Sequence, residues 1–274
     1  MKIEKIIGVF FSPVGKTKET VLGIAKEISY YLGKPLEQFN FTSPQSRQGV
    51  KEYSKTDFVV FGTPVYAGRI PNKLLSYVQN GFAGHGALAL PVVTFGNRNF
   101  DNGLIELRNE LEKNGFHTVA GAAVSTSHAF SEKISPNRPD EEDWESLRRF
   151  ARLAAKKALN LEEIPQPVQV PGENTLTHYY TPLGADGKPV SFLKAKPQTK
   201  VDKCNHCGVC VAACPMGSIH KEDPSLVPGI CIKCQACIQK CPSKAKYFDD
   251  EAFLSHVAML EQNYTSRHEN GLFI

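Results

Sequence analysis

The chain has 274 residues, 41% of them hydrophobic, and a formal net charge of +4. That length allows more than one compact domain, and a small charge excess without a long Lys/Arg run gives no ground for a nucleic-acid partner. The longest apolar run, residues 87–95, falls far short of the ~18 residues a membrane span needs, so no membrane insertion is expected. Residues 3–11 form a continuous apolar run ending in Ser12-Pro13, the pattern of a buried parallel strand. Residues 17–32 place Val21, Ile24, Ala25, Ile28 and Leu32 at helical spacing, with Gly33 as the stop. Further strands are expected at 36–41, 57–62, 87–95 and 119–124, and further helices at 72–78, 104–113 and from Pro139 to about Leu161. Asp140, Glu141 and Glu142 suit the positive end of that last helix. Alternating strands and helices with short connections predict an α/β, doubly wound, five-stranded parallel sheet over residues 1–161. The composition fits either common doubly wound order; the smaller, 2-1-3-4-5, puts ligands beyond the carboxyl ends of the strands. The start of the chain lacks a signal-peptide pattern, so the cytoplasm is the expected location.

Residues 162–197 change character. Pro165, Pro167, Pro171, Pro182, Pro189 and Pro197 interrupt any regular element, which marks a linker. Tyr179, Tyr180 and Phe192 suggest that this linker lies along a surface. A wrap around the first domain is expected. Residues 198–248 carry all eight cysteines of the chain and form a small α+β domain. They read Cys204-x2-Cys207-x2-Cys210-x3-Cys214-Pro215 and Cys231-x2-Cys234-x2-Cys237-x3-Cys241-Pro242. This spacing wraps a cubane iron–sulfur cluster, and in two-cluster domains the fourth cysteine of each run ligates the other cluster. By that rule Cys204, Cys207, Cys210 and Cys241 hold one [4Fe-4S] cluster, and Cys231, Cys234, Cys237 and Cys214 hold the second. Zinc sites use paired C-x2-C knuckles, not three closely spaced cysteines followed by C-x3-C-P. Gly208, Ala212, Ala213, Gly217 and Ala236 are small and leave room for sulfide near the backbone. Residues 249–274 form a helical tail, with Phe253, Val257 and Leu260 on one face expected to cover the cysteine domain.

This cysteine stretch resembles the bacterial-type two-[4Fe-4S] ferredoxin family at all eight ligand positions. Such ferredoxins are commonly acidic. Here Lys200, Lys203, Lys221, Lys233, Lys240, Lys244 and Lys246 outnumber Asp202, Glu222 and Asp223. The excess reads either as a docking face for an acidic partner or as solvated surface.

The first strand ends in Ser12-Pro13-Val14-Gly15-Lys16-Thr17, opening a helix. A nucleotide P-loop would need glycine where Phe10 stands, and a G-x-G-x-x-G dinucleotide turn is absent. The loop instead resembles the phosphate loop of flavodoxins, with Ser12, Gly15 and Thr17 matching and Val14 replacing the usual Thr. Lys16 adds charge. The resemblance implies an FMN site completed by two strand-end loops. One contains Pro64, Val65, Tyr66, Ala67 and Gly68. The other contains Phe95, Gly96, Asn97, Arg98, Phe100 and Asp101. In flavodoxins these loops sandwich the flavin ring. Tyr66 and Phe100 are the stacking candidates, Gly68 or Gly96 lets a peptide approach flavin N5, and Arg98 supplies charge near the N1 side. His128 faces either this site or the core. As a whole the chain resembles the flavodoxin–ferredoxin fusion proteins. That implies an electron carrier relaying between FMN and two [4Fe-4S] clusters and serving redox partner proteins. Two rivals stand beside it: a flavoprotein reductase acting on a small molecule, and a redox-sensing module. No substrate acid/base pair is apparent near the flavin loops, which favours the carrier.

Overall fold

The computed structural model describes residues 2–175 and 178–274. Met1, from the expected first domain, and Leu176 and Thr177, from the expected linker, lie outside the described residues.

The first strand, β1 (Lys5–Phe10), meets apolar side chains on both faces. Ile6 and Phe10 point into one core, Ile7 and Val9 into the other. This alternation follows from the period of two along a strand. It explains why a strand buried on both sides reads as one apolar run. Helix α1 (Lys16–Leu32) begins at Gly15 and stops at Gly33, whose φ of 62° lets its N–H reach back to the carbonyls of Ser29 and Tyr30. Then come β2 (Leu36–Asn40), β3 (Asp57–Pro64), α2 (Asn72–Asn80), β4 (Leu88–Phe95), α3 (Gly103–Lys113), β5 (Gly121–Ser125) and α4 (Glu141–Leu159). Asp140 and Asp143 form a reciprocal capping box at the start of α4.

The strands pair in parallel in the order β2-β1-β3-β4-β5. Helices α1 and α4 cover one face through Val21, Ile24, Leu147 and Phe150. Helices α2 and α3 cover the other through Leu74, Val78, Leu104 and Leu111. This is the flavodoxin-like arrangement, and its strands deliver their carboxyl ends to one edge.

The five parallel strands are extended by two short ones. His117–Thr118 pairs parallel with the start of β4, and the end of the chain supplies β6 (Gly271–Phe273), antiparallel to β5. The open edge of β5 offers unpaired backbone groups, and the terminal segment satisfies them. The expected cover of the cysteine domain by residues 249–274 is corrected. Helix α7 (Glu251–Asn263) sets Phe253 among Phe130, Phe192 and Phe248, with ring centroids 4.9, 5.5 and 4.6 Å away. Only Phe248 of these belongs to the cysteine domain. The helix is a wedge between three parts of the chain.

Segment 162–197 runs along the first domain. Val168 N–H donates to the Thr118 carbonyl at 3.1 Å, and Tyr179 Oη donates to the Ile70 carbonyl at 2.9 Å. Beyond it, Gln198–Thr199 pairs antiparallel with Lys246–Tyr247 and closes the cysteine domain around the short helices α5 (Val209–Ala213) and α6 (Ala236–Gln239). No helix among the described residues is long and apolar enough to cross a membrane.

Candidate redox site

The cysteines surround two hollows. One is lined by Cys204, Cys207, Cys210 and Cys241. The other is lined by Cys214, Cys231, Cys234 and Cys237. Each holds three cysteines of one run and the last cysteine of the other. Four thiols about one hollow are the ligand set that a cubane cluster takes.

Local backbone geometry makes this possible. His206, Gly208, Lys233 and Gln235 have positive φ, so each loop winds tightly and turns several thiols inward. Amides then point at sulfur. Ser218 N–H donates to Cys214 Sγ at 3.3 Å, Lys233 N–H to Cys231 Sγ at 3.4 Å, and Ala245 N–H to Cys241 Sγ at 3.3 Å. Such donors stabilise sulfur that carries negative charge. Burial pushes the Cys234 and Cys237 thiols up to about 12. Iron bound there would have to displace protons from both. An unpartnered buried hydroxyl, Thr199 Oγ1, lines the first hollow. Thiol donors, inward amides and this orphan hydroxyl all fit an iron–sulfur cluster.

The hollows differ in surroundings. Cys207 is exposed, whereas Cys234 and Cys237 are buried. The second hollow stands against the strand-end edge of the first domain. Ile232, on its rim, packs against the core that contains Phe11, Phe41 and Phe61. The Tyr66 phenol is pushed well up by burial and by the nearby Cys234 and Cys231. Arg47 ties the two domains together. Its guanidinium donates to the carbonyl of Pro215, next to Cys214, and to the Thr42 carbonyl at 3.1 Å. Thr42 Oγ1 in turn accepts the Ser12 N–H at 2.8 Å. A chain of bonds thus runs from the second hollow to the loop after β1.

That loop leads into the N-terminus of α1. Gly15 sits at φ +97° with nothing within 4 Å of where a Cβ would stand, and as the N-cap residue it has no side chain to cap the helix. A helix N-terminus favours an anion. Nearby hydroxyls are partly engaged. Ser12 Oγ accepts the Lys18 N–H at 2.9 Å, and Thr17 Oγ1 lies 2.7 Å from Thr94 Oγ1. The open glycine and the amides of Lys16 and Thr17 fit a phosphate group.

Residues 196–242 match the family model described as a 4Fe-4S dicluster domain. The chain thus joins a domain of flavodoxin-like fold to a segment that matches a 4Fe-4S dicluster domain. No curated protein matches it. Among solved structures it is similar to a flavodoxin from the domain Archaea, at 12% identity and a TM-score of 0.38, covering 57% of this chain and 99% of that one. A Streptococcus pneumonia TIGR4 flavodoxin is 20% identical, with a TM-score of 0.39 over 56% of this chain and 98% of its own. Flavodoxin 2 from Bacillus cereus is 17% identical, with a TM-score of 0.38 over 56% of this chain and 99% of its own.

In the flavodoxin-like domain the loops after β3 and β4 touch one another. Tyr66 and Arg69 exchange backbone hydrogen bonds of 2.9 and 3.2 Å around Ala67 (φ 49°) and Gly68 (φ 80°). A Cβ on Gly68 would lie 2.4 Å from Asp101 Oδ2, so only glycine allows this approach. Asp101 pairs with Arg98, whose guanidinium stacks 4.0 Å over the Tyr180 ring. Arg98 is thus held by Asp101 and by the linker. Asn97 is buried, and its amide donates to the Tyr264 and Ser266 carbonyls at 2.7 Å each. Val65 packs on Gly103 at the start of α3, Pro64 is half-buried, and Phe95 is buried 5.5 Å from the Phe100 ring. Gly96 lies under the His128 ring. Lys16 pairs with Glu19 at 3.2 Å, and Val14 is half-buried. Sequence reasoning missed Thr42, Arg47, Thr94 and Thr199. Thr94 had a readable signal, a hydroxyl at the carboxyl end of an apolar strand; the others acquire their roles only through distant contacts.

Proposed function

We propose that this chain is an electron carrier relaying between FMN and two [4Fe-4S] clusters in series, with the cluster at Cys214, Cys231, Cys234 and Cys237 next to the flavin. The observation that carries the proposal is the seating of that hollow against the strand-end edge of the flavodoxin-like domain, through Arg47, Tyr66 and Ile232. FMN exchanges one or two electrons and a cubane cluster one, so together they join two-electron and one-electron partners. The helix N-terminus at Gly15, Lys16 and Thr17, with Ser12, binds the FMN phosphate, and the loops at Tyr66 and at Phe95–Asp101 line the flavin ring.

The cluster at Cys204, Cys207, Cys210 and Cys241 is the outer port. Its Cys207 is exposed, and exposed Lys200, Lys203, Lys240 and Lys244 lie on neighbouring segments against exposed Asp202. A redox protein with an acidic surface suits that face. The test is flash-photolytic injection of one electron into the anaerobic, fully loaded chain. The expected result is a cluster absorbance change that decays into a flavin change at a rate independent of protein concentration. A rate that grows with concentration contradicts an internal relay.

A further inference from the structure

Lys246 differs from the other lysines of its domain. It is only 4% exposed and stands opposite Thr199 in the two-residue strand pair that closes the domain. Its side chain lines the hollow formed by Cys204, Cys207, Cys210 and Cys241. The ammonium donates to the Pro224 carbonyl. An ammonium has three donors and needs a counter-charge when buried. Among the described residues no carboxylate pairs with this one. The same hollow is lined by Cys204, Cys207, Cys210 and Cys241 and by no carboxylate. One buried cation therefore shares a hollow with the four thiols of the first candidate cluster.

We infer that Lys246 is the internal counter-charge of the cluster held by Cys204, Cys207, Cys210 and Cys241, raising its reduction potential. The inference rests on the two-cluster reading. Reduction adds one electron, from an external one-electron donor, to a cluster already made anionic by four thiolates. A fixed positive charge nearby favours the more negative product. Because the charge is buried, salt does not screen it as it screens a surface lysine. Exposed lysines such as Lys221 act on a partner or on solvent, whereas Lys246 acts inward.

The experiment is an anaerobic redox titration of the loaded full chain followed by EPR, with iron and sulfide quantified in every sample. Lys246→Met keeps the bulk and removes the charge. The expected result is full cluster content with at least a tenfold lower equilibrium constant for reducing a cluster, which is about 59 mV for one electron. The Cys204/Cys207/Cys210/Cys241 cluster should shift most. Lys221→Met, an equal charge loss at an exposed site, should leave both midpoints in place, and Lys246→Arg should hold wild-type midpoints. Full clusters with unchanged midpoints in Lys246→Met overturn the inference, and so does an equal fall in Lys221→Met or Lys246→Arg. Should Lys246→Met fail to load iron, Lys246→Gln, which keeps a donor for the Pro224 carbonyl, decides by the same criterion. Wild-type protein without iron and sulfide sinks the two-cluster reading itself, a separate failure.

Discussion

His128 shows how burial fixes the state of a side chain beside the site. Its Nδ1 accepts the Phe130 N–H at 3.0 Å, and its ring lies on Gly96. Burial, then the charges of His256 and Arg98, lower its pKa to about 4. The folded protein thus resists a proton that the unfolded chain accepts near pH 6.5. Stability from this group is complete above about pH 6.5 and is lost as pH falls toward 4, by about 2 kcal/mol at pH 5. His128→Asn should therefore shrink the stability difference between pH 7 and pH 5 in urea unfolding; an undiminished difference counts against the assignment. Asn97 carries a larger structural burden. It donates to two tail carbonyls and accepts from Ser125 Oγ and the His268 N–H. Asn97→Ala leaves these groups unpaired and should cost about 1–3 kcal/mol, read from the urea midpoint.

Among the elements, the N-terminus of α1 bears most directly on cofactor binding. Gly15 holds φ +97°, which an alanine adopts only with strain. Gly15→Ala should turn the loop amides and weaken FMN binding at least tenfold, about 1.4 kcal/mol, measured by flavin fluorescence quenching on titrating FMN into flavin-depleted protein. Wild-type affinity in that variant would move the phosphate elsewhere. The terminal strand β6 works differently. It is three residues long, too short for a readable period, and its partner β5 lies far back in the chain. Arg267, four residues before β6, binds Asp140 at 2.6 Å and Asp143 at 3.0 Å, while buried Arg138 also holds Asp143. These contacts staple the end of the chain to the start of α4. They explain why the tail belongs to the first domain although it follows the second in sequence.

For the whole molecule, the strands themselves and the grouping of the cysteines were legible, because both rest on local pattern; the strand order followed only from the flavodoxin resemblance. Apolar runs mark doubly covered strands, and C-x2-C-x2-C-x3-C-P repeats dictate the exchange of the fourth cysteine. The joint between domains was not legible. Arg47 lies in an unremarkable polar loop, and only tertiary structure brings it to Pro215. Lys246 was one lysine among seven until burial separated it. Arg47→Met should loosen that joint and slow internal electron transfer several-fold after a flash, while leaving iron content intact; an unchanged rate removes Arg47 from the account. Transfer to an acidic partner at the Cys207 face should slow as salt rises, because exposed lysines are screened over about 10 Å at 0.1 M. Internal transfer should not. The central claim is that one chain carries both kinds of redox centre. Its most direct test is joint quantification of iron, acid-labile sulfide and flavin in anaerobically purified protein. The account predicts about eight irons and eight sulfides, with one FMN per chain. Zinc in place of iron, or clusters without flavin, would contradict it.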